Sequence, residues 1–469
     1  MTTVLQTGRL LDYFFMIPDG DGERLLVMED GPGTWTLPRW KEDQEHFWQA
    51  VDHVNVAVRE AWGLKVTTLR CLGNRRRVPG RLDCRIYEME THGMTSRTPP
   101  IGARWITGSE LDDLKFTQRE HPIIMRSWFT YHVENEYASS RPVWSRQGWL
   151  ARAVSWMLDQ LKRLQIEPLG PVEQLRIWQR SCILQVPTSA GRVYFKAYPE
   201  LSEAAAELQR ELGGLFSEYL PTHLAVEPTR NWSLIREPIP ESANDQNEDE
   251  ITWEEALRAQ ARLQHSTTSH VSRFLAMGVA DRRLKKLLTR AKALLDDTDA
   301  LKTARGEGLS DAEIERLRGL APRLFRDCER LVSFALPPVL ENSSLFAGDT
   351  ISGAPGMLFP DWTDAAISHP FFGIQLPGAL TLSSVRGPAA SPAQRSRLRE
   401  AYLQQWVEFE PPDRLIEAFE LAQVLAPLHY AVTLHQLGLP NAETQWEVEV
   451  SMPYFLRVLM GLYEGRTGY

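Results

Sequence analysis

The chain has 469 residues, a length that at roughly 150 residues per compact unit suggests several units rather than one core. Apolar residues make up 43% and charged residues 24%, with 30 Gly and 30 Pro, which excludes collagen-like, coiled-coil and wholly disordered classes. Lys plus Arg number 52 against 61 Asp plus Glu, a formal charge of -9, which argues against a broad phosphate-binding surface and so against nucleic acid as a partner, while leaving room for a local basic pocket.

The N-terminal stretch has only a short apolar patch, interrupted by Asp12 and closed by a Pro-Asp-Gly-Asp turn, and lacks the apolar core of a signal peptide. Leu10 to Ile17 and Arg24 to Met28 are strand-like and flank that turn. After the Gly31-Pro-Gly33 breaker, helical periodicity runs from Gln44 and stops at Gly63, as at a C-cap. Strand-like runs return at Lys65 to Leu72 and Arg81 to Met89. The basic run Asn74 to Arg81 reads as a solvated hairpin tip. A polar, Pro-containing stretch near Glu134 to Gln147 suits a linker.

From Gly148 to Gln165 the apolar spacing is helical; it then changes period, and Gln174 to Trp178, Ser181 to Val186 and Arg192 to Ala197 read as three antiparallel strands. A charged helix follows from Ser202, ending at the Gly213-Gly214 pair. Leu224 to Ile235 reads as one or two further strands, and Glu241 to Glu250 as an acidic solvated loop. Beyond Trp253 helical periodicity dominates, broken by the Pro-, Gly- and Ser-rich stretch Ser333 to Leu382. The apolar stretch Leu421 to Leu439 contains Pro427, His429, His435 and Gln436 and reads as buried helix rather than a bilayer span, so no membrane partner is expected. Cys71, Cys84, Cys182 and Cys328 have no C-x-x-C spacing and are too few for a disulfide framework, which points to reduced thiols and a cytoplasmic setting. The histidines show no zinc-binding spacing, and His369, before Pro370, reads as a hydrogen-bonding loop residue.

Four residues carry chemistry. Lys196 sits inside an otherwise apolar strand, and a cleft-facing lysine needs an anion; Glu207, mid-helix shortly after, is the acid that could hold it for a nucleotide phosphate. Asp349 and Asp361 each end a short apolar run, a spacing at which a small hairpin would bring both carboxylates to one cleft. Phosphoryl transfer needs one carboxylate to accept the hydroxyl proton of the acceptor and one to hold magnesium against the nucleotide oxygens.

In the order strand-Lys196, helix-Glu207, helical lobe, Asp349, Asp361, residues 141 to 469 resemble the aminoglycoside phosphotransferase family of small-molecule kinases, which share the protein-kinase-like fold. That family's signature runs His-Gly-Asp, Asn, then Asp-Trp or Asp-Phe; here Ala347-Gly348-Asp349 stands for the first, Ala354 falls at the Asn, and Asp361-Trp362 matches the last. The resemblance implies ATP and magnesium as cofactors. It makes Lys196 the phosphate contact, Glu207 its orienting acid, Asp349 the catalytic base and Asp361 the metal ligand, with Trp232 to Pro238 at an adenine-docking hinge. The strand-connecting turn Trp178 to Cys182 has no Gly, so Ser181 and backbone N–H groups would cover the nucleotide. Ala354 and Ala347 depart from the pattern, as does Gly373, where an acid is expected.

Trp35-Thr-Leu-Pro38 and Val56 to Leu64 resemble the Nudix hydrolase family, but neither register of its box gathers enough carboxylates for magnesium, which implies a fold without hydrolysis. The expected architecture is therefore α/β plus α+β: a degenerate Nudix-like domain over residues 1–135, a linker over 136–147, a kinase-like β-rich lobe over 148–237 and a helical lobe over 238–469. The expected function is ATP/Mg-dependent phosphorylation of a small-molecule hydroxyl. The alternative is a catalytically impaired, kinase-like scaffold that binds a nucleotide or small ligand, with the Nudix-like domain as a non-hydrolytic binding module.

Overall fold

The computed structural model describes residues 5–75, 84–93, 98–134, 141–199, 204–236, 253–302, 308–342, 351–353, 356–359, 361–374, 391–436 and 451–465. The chain forms two compact units, one of residues 1–197 with 234–245 and one of residues 198–233 with 246–469.

The first unit runs β1 (Leu5–Met16), β2 (Leu25–Glu29), β3 (Thr34–Thr36), β4 (Arg39–Glu45), α1 (Asp52–Trp62), β5 (Val66–Arg75), β6 (Cys84–Thr91), β7 (Ala103–Ile106), β8 (Lys115–Phe116), α2 (Glu120–Glu134), α3 (Trp149–Arg163), β9 (Glu173–Trp178), β10 (Ser181–Thr188) and β11 (Gly191–Ala197). Two four-stranded sheets, in the orders β4-β1-β6-β5 and β7-β2-β3-β8, make its first part. β1 lies antiparallel to β4 and parallel to β6. After Asp12 its residues Tyr13 to Met16 are all apolar and all buried, as a strand covered on both faces requires. Phe14 and Met16 enter a core with Val27, Leu37, Ile86 and Trp128, while Phe15 points the other way, against the Trp62 ring of α1 at 5.8 Å.

The helix expected from Gln44 begins only at Asp52, because residues 39–45 pair with β1 as β4 instead. Its end is as expected: Gly63 takes φ 69 and closes the helix with its N–H on the Arg59 carbonyl at 2.9 Å, a left-handed geometry that glycine adopts without steric penalty.

β9, β10 and β11 form the expected antiparallel meander, with Cys182 opposite Ile177 and Lys196 opposite Ile183. α3 packs on one face of it, with Trp149 and Trp156 against the Phe195 ring at 6.0 and 5.8 Å. The outer edge of β9 is also paired. Val51 N–H donates to the Leu175 carbonyl and Ile177 N–H to the Gln49 carbonyl, both at 2.9 Å, so residues 49–51 cover a strand edge that would otherwise be open. The Gln174 amide lies alongside β5 and imitates a strand. Its Nε2 donates to the Thr68 carbonyl at 2.8 Å, and its Oε1 accepts from Thr68 N–H at 2.9 Å and from Asn55 Nδ2 at 3.0 Å.

The second unit contains α4 (Ala205–Leu215), β12 (His223–Glu227) and the start of β13 (Trp232–Ile235). It continues with α5 (Trp253–Thr267), α6 (Val271–Ala276), β14 (Ala280–Asp281), α7 (Leu284–Asp296), α8 (Thr298–Lys302), α9 (Asp311–Val332), β15 (Val339–Glu341), β16 (Ile351–Gly353), β17 (Gly356–Leu358), β18 (Ala366–Ser368), α10 (Pro392–Leu403), α11 (Pro412–Gln436) and α12 (Ser451–Tyr463). α4 does not stop at Gly213-Gly214 but runs to Leu215. Leu208 and Leu212, at 2% and 0% exposed, are anchored in the helical core, and that packing outweighs the helix-breaking preference of glycine, about 1 kcal/mol per residue. Two short β elements interrupt the helices, a sheet in the order β14-β18-β15 and the hairpin β16-β17. The core of the unit gathers Leu263, Phe274, Leu294, Leu324, Trp362, Phe371, Trp406, Phe419 and Leu456.

Candidate functional site

Within the first unit, Lys196 is the informative position. It is 1% exposed on β11, between Phe195 and Ala197, both fully buried. Strand alternation turns it away from the face on which Phe195 meets α3. A lysine normally keeps its ammonium in water, so this placement is specific. Ser181 opens β10 and is buried, and its Oγ accepts from the Trp178 indole N–H at 2.8 Å across the tight β9-β10 turn.

In the second unit, Asp361 follows the end of β17 at Leu358 and is half-buried between Phe359 and Trp362, both wholly buried. Bonds within the turn brace it. Asp361 Oδ1 accepts from Thr363 N–H at 3.0 Å and from Thr363 Oγ1 at 2.6 Å. The Trp362 indole N–H donates to the Phe359 carbonyl at 2.8 Å. Oδ1 of the carboxylate is thus held at a hairpin exit. The hairpin expected between the two aspartates is present, with Ile351 opposite Leu358. Asp349, Ala347 and Ala354 lie outside the described residues, as do residues 237 and 238 of the expected hinge.

Glu207 is half-exposed on α4, and its carboxylate is engaged by Arg210 one turn on, whose Nε donates at 3.0 Å. The helix buries Ala205, Ala206, Leu208, Gln209 and Leu212, so the polar side chain on its inward stripe is Gln209, fully buried. The helical spacing of that stripe, Ala205, Leu208, Gln209 and Leu212, is readable in the sequence. Tyr198 was not legible. It is 1% exposed, and burial, followed by the charge of Asp361, pushes its hydroxyl well above the usual tyrosine range, a rise that the nearby Ser233 and Gln209 side chains oppose. The Ser233 hydroxyl in turn meets His223 Nδ1 at 2.6 Å. Tyr198, Gln209, Ser233 and His223 therefore make a polar group on the Asp361 side of the second unit.

His369 is a loop hydrogen-bonder, as read from the sequence. Its Nδ1 accepts from Phe371 N–H at 3.2 Å, and burial, then the neighbouring His429, hold its pKa down at about 3. Cys182 and Cys328 are buried free thiols, and burial pushes each up to about 12. In the first unit, Glu60 and Arg59 are exposed on α1. The buried ionic group there lies elsewhere: Glu88 accepts from Arg70 Nε at 2.6 Å and from the Tyr131 hydroxyl at 2.8 Å, and the Arg141 guanidinium lies over the Tyr131 ring at 4.5 Å.

Among the described residues there is no cluster of three or more His, Cys, Asp or Glu side chains that could cage a metal, and no helix long and apolar enough to cross a membrane. Magnesium does not require such a cage, since it is commonly held by one or two carboxylates together with substrate phosphates and waters. The braced, half-buried Asp361 fits that mode.

No protein-family model and no curated protein matches the chain. Among solved structures, it is similar to a macrolide 2'-phosphotransferase type I at 14% identity, covering 67% of this chain and 97% of that one with a TM-score of 0.42. It is similar to a choline kinase from Cryptosporidium parvum Iowa II at 12% identity, covering 67% and 95% with a TM-score of 0.45. An ethanolamine kinase from Plasmodium vivax is similar at 9% identity, covering 73% and 96% with a TM-score of 0.44.

Proposed function

We propose that the chain is an ATP- and magnesium-dependent phosphotransferase acting on a hydroxyl of a small molecule. The observation that carries this reading is Asp361: a carboxylate at the exit of a hairpin, one oxygen fixed by two donors from Thr363, set between two buried aromatic residues. In this reading Asp361 holds the magnesium that accompanies the nucleotide, which would neutralise charge on the phosphate oxygens. Lys196 contacts the phosphates, and its burial strengthens that contact because the effective dielectric falls inside a protein. Glu207, on release from Arg210, orients the lysine, Ser181 and neighbouring backbone N–H groups cover the nucleotide, and Asp349 accepts the proton of the acceptor hydroxyl. Catalysis of this type rests on positioning and electrostatics, which suits a site assembled from strand, turn and helix rather than from one motif. Residues 1–135 act as a binding module without hydrolysis.

ATP consumption across a panel of sugars, aminoglycosides and amino alcohols tests the proposal. Turnover with at least one acceptor is expected, and Asp349→Asn abolishes it. A second reading, a nucleotide-binding scaffold without turnover, is favoured by the sequence itself, because Ala347 and Ala354 carry no polar side chain where the resembled pattern has His and Asn. Stabilisation by ATP with no acceptor consumed would establish it instead.

A further inference from the structure

Arg282 follows β14 directly and is 3% exposed, a guanidinium inside the second unit. It reaches the segment after Asp361 three times. Its N–H donates to the Ile367 carbonyl at 2.8 Å, its carbonyl accepts from Ser368 Oγ at 3.3 Å, and its Nη1 donates to the Asp364 carbonyl at 3.1 Å. The parallel pairing of Ala280 with Ala366 and Asp281 with Ile367 leads into these bonds. Ahead of Asp361, Phe359 N–H donates to the distant Tyr219 carbonyl at 2.8 Å, and the bonds within the turn itself run between residues 359 and 365. Arg282 therefore fixes the turn to a distant strand.

A buried cation needs an acid nearby, and the charge of Glu341 supplies it. Burial pulls the Arg282 pKa down to about 10 and Glu341 opposes that fall, so the guanidinium stays charged at neutral pH. Glu341 ends β15, opposite Ala366 of β18, and is fully buried. Its carboxylate occupies the space beside Gly373: a Cβ on residue 373 would overlap Oε1 and stand 2.8 Å from Cδ and 3.0 Å from Cγ. His429 of α11, also fully buried, approaches Glu341 Oε2 with Nε2 at 3.4 Å and stacks on Phe372 at 5.0 Å. The acid that the sequence pattern leads one to expect at 373 is thus supplied to the same place from Glu341.

We infer that Arg282 is a positioning residue for Asp361, clamping residues 364–368 so that the carboxylate keeps its direction, with Glu341, on the strand that flanks β18 from the other side, as the buried acid that accompanies it. The inference rests on the proposed role of Asp361 in binding magnesium. A pair that served only the fold would lower stability without acting on that turn in particular.

The test uses the full chain as wild type, Arg282→Met, Arg282→Lys and Glu341→Gln, with two readouts. Hydrogen exchange is followed in peptides covering 361–368 and, as a remote control, 149–163. Separately, the magnesium concentration that half-saturates the ATP-induced rise in unfolding temperature is measured. In R282M, exchange over 361–368 should rise about tenfold, the scale of one lost buried hydrogen bond, with 149–163 unchanged, and the magnesium midpoint should rise several-fold. R282K, which keeps the charge but loses the planar fork, and E341Q should fall between; they decide the matter if R282M does not fold. Unchanged exchange at 361–368, or an unchanged magnesium midpoint in a folded Arg282 variant, overturns the inference. A wild-type chain whose ATP response ignores magnesium overturns the reading of Asp361 instead, and the exchange arm still decides whether the clamp exists.

Discussion

Lys196 and Asp361 differ in what made them visible. A lysine inside Val193-Tyr-Phe-Lys196-Ala breaks an apolar strand, and a break of that kind can be seen without coordinates. Its 1% exposure shows that the strand is buried around it rather than at an edge. Replacing Lys196 with Met keeps the aliphatic stem and removes the charge. The expected outcome is a folded protein that ATP no longer stabilises, checked by thermal unfolding with and without nucleotide. Asp361 was visible through its Asp-Trp pair. Tyr198 and Gln209 were not singled out, because their relation to Asp361 passes through packing between residues far apart in the chain. The thiols provide a second check at this scale. Burial pushes the Cys182 and Cys328 thiols up to about 12, so neither should react with a thiol reagent at pH 8 until the protein is unfolded; modification of either in the native state would contradict their placement.

Elements were legible where one local pattern governed them. The β9-β11 meander, α3 and the Gly63 cap follow directly from alternation, helical spacing and glycine chemistry. The start of α1 was misplaced because residues 39–45 are claimed by β1, a competitor that local periodicity cannot reveal, and α4 runs through two glycines because its leucines are held by the core. Gly373→Ala should destabilise the second unit by about 2 kcal/mol, a cost typical of overpacking, since the Glu341 carboxylate must give way; urea unfolding measures it, and a neutral result would contradict the described seat of Glu341. The start of α9 is tied by Ser310 and Glu313, and Glu313 also accepts from Arg457 Nε of α12 at 2.7 Å. That arginine, ahead of the Ser310 bonds, holds the Glu313 carboxyl down at about 2. A depressed carboxylate contributes stability above its ordinary pKa and loses it as the pH falls toward the folded value. Wild type should therefore unfold at a higher temperature than Glu313→Gln at pH 7, and the gap should narrow toward pH 3.

At the scale of the molecule, the continuity of the first unit was the least legible feature. No pattern in residues 1–135 announces that 49–51 will pair with β9, or that Gln174 will lie along β5, because both depend on side chains and backbone groups meeting across about half of the unit's sequence. Gln174→Ala leaves the Thr68 N–H and carbonyl without their partner, and should cost about 2 kcal/mol in urea unfolding, within the range for stranded buried polar groups. A cost near zero would show that β5 and β9 are not joined in this way. The function proposed for the whole chain reduces to one requirement, that ATP binds with magnesium through Lys196 and Asp361. The most direct measurement is the unfolding temperature with ATP, with and without magnesium, for wild type, Lys196→Met and Asp361→Asn. The account predicts a rise for wild type that is larger with magnesium, no rise for Lys196→Met, and loss of the magnesium-dependent part for Asp361→Asn. A wild-type protein that ATP leaves unchanged under both conditions would contradict it.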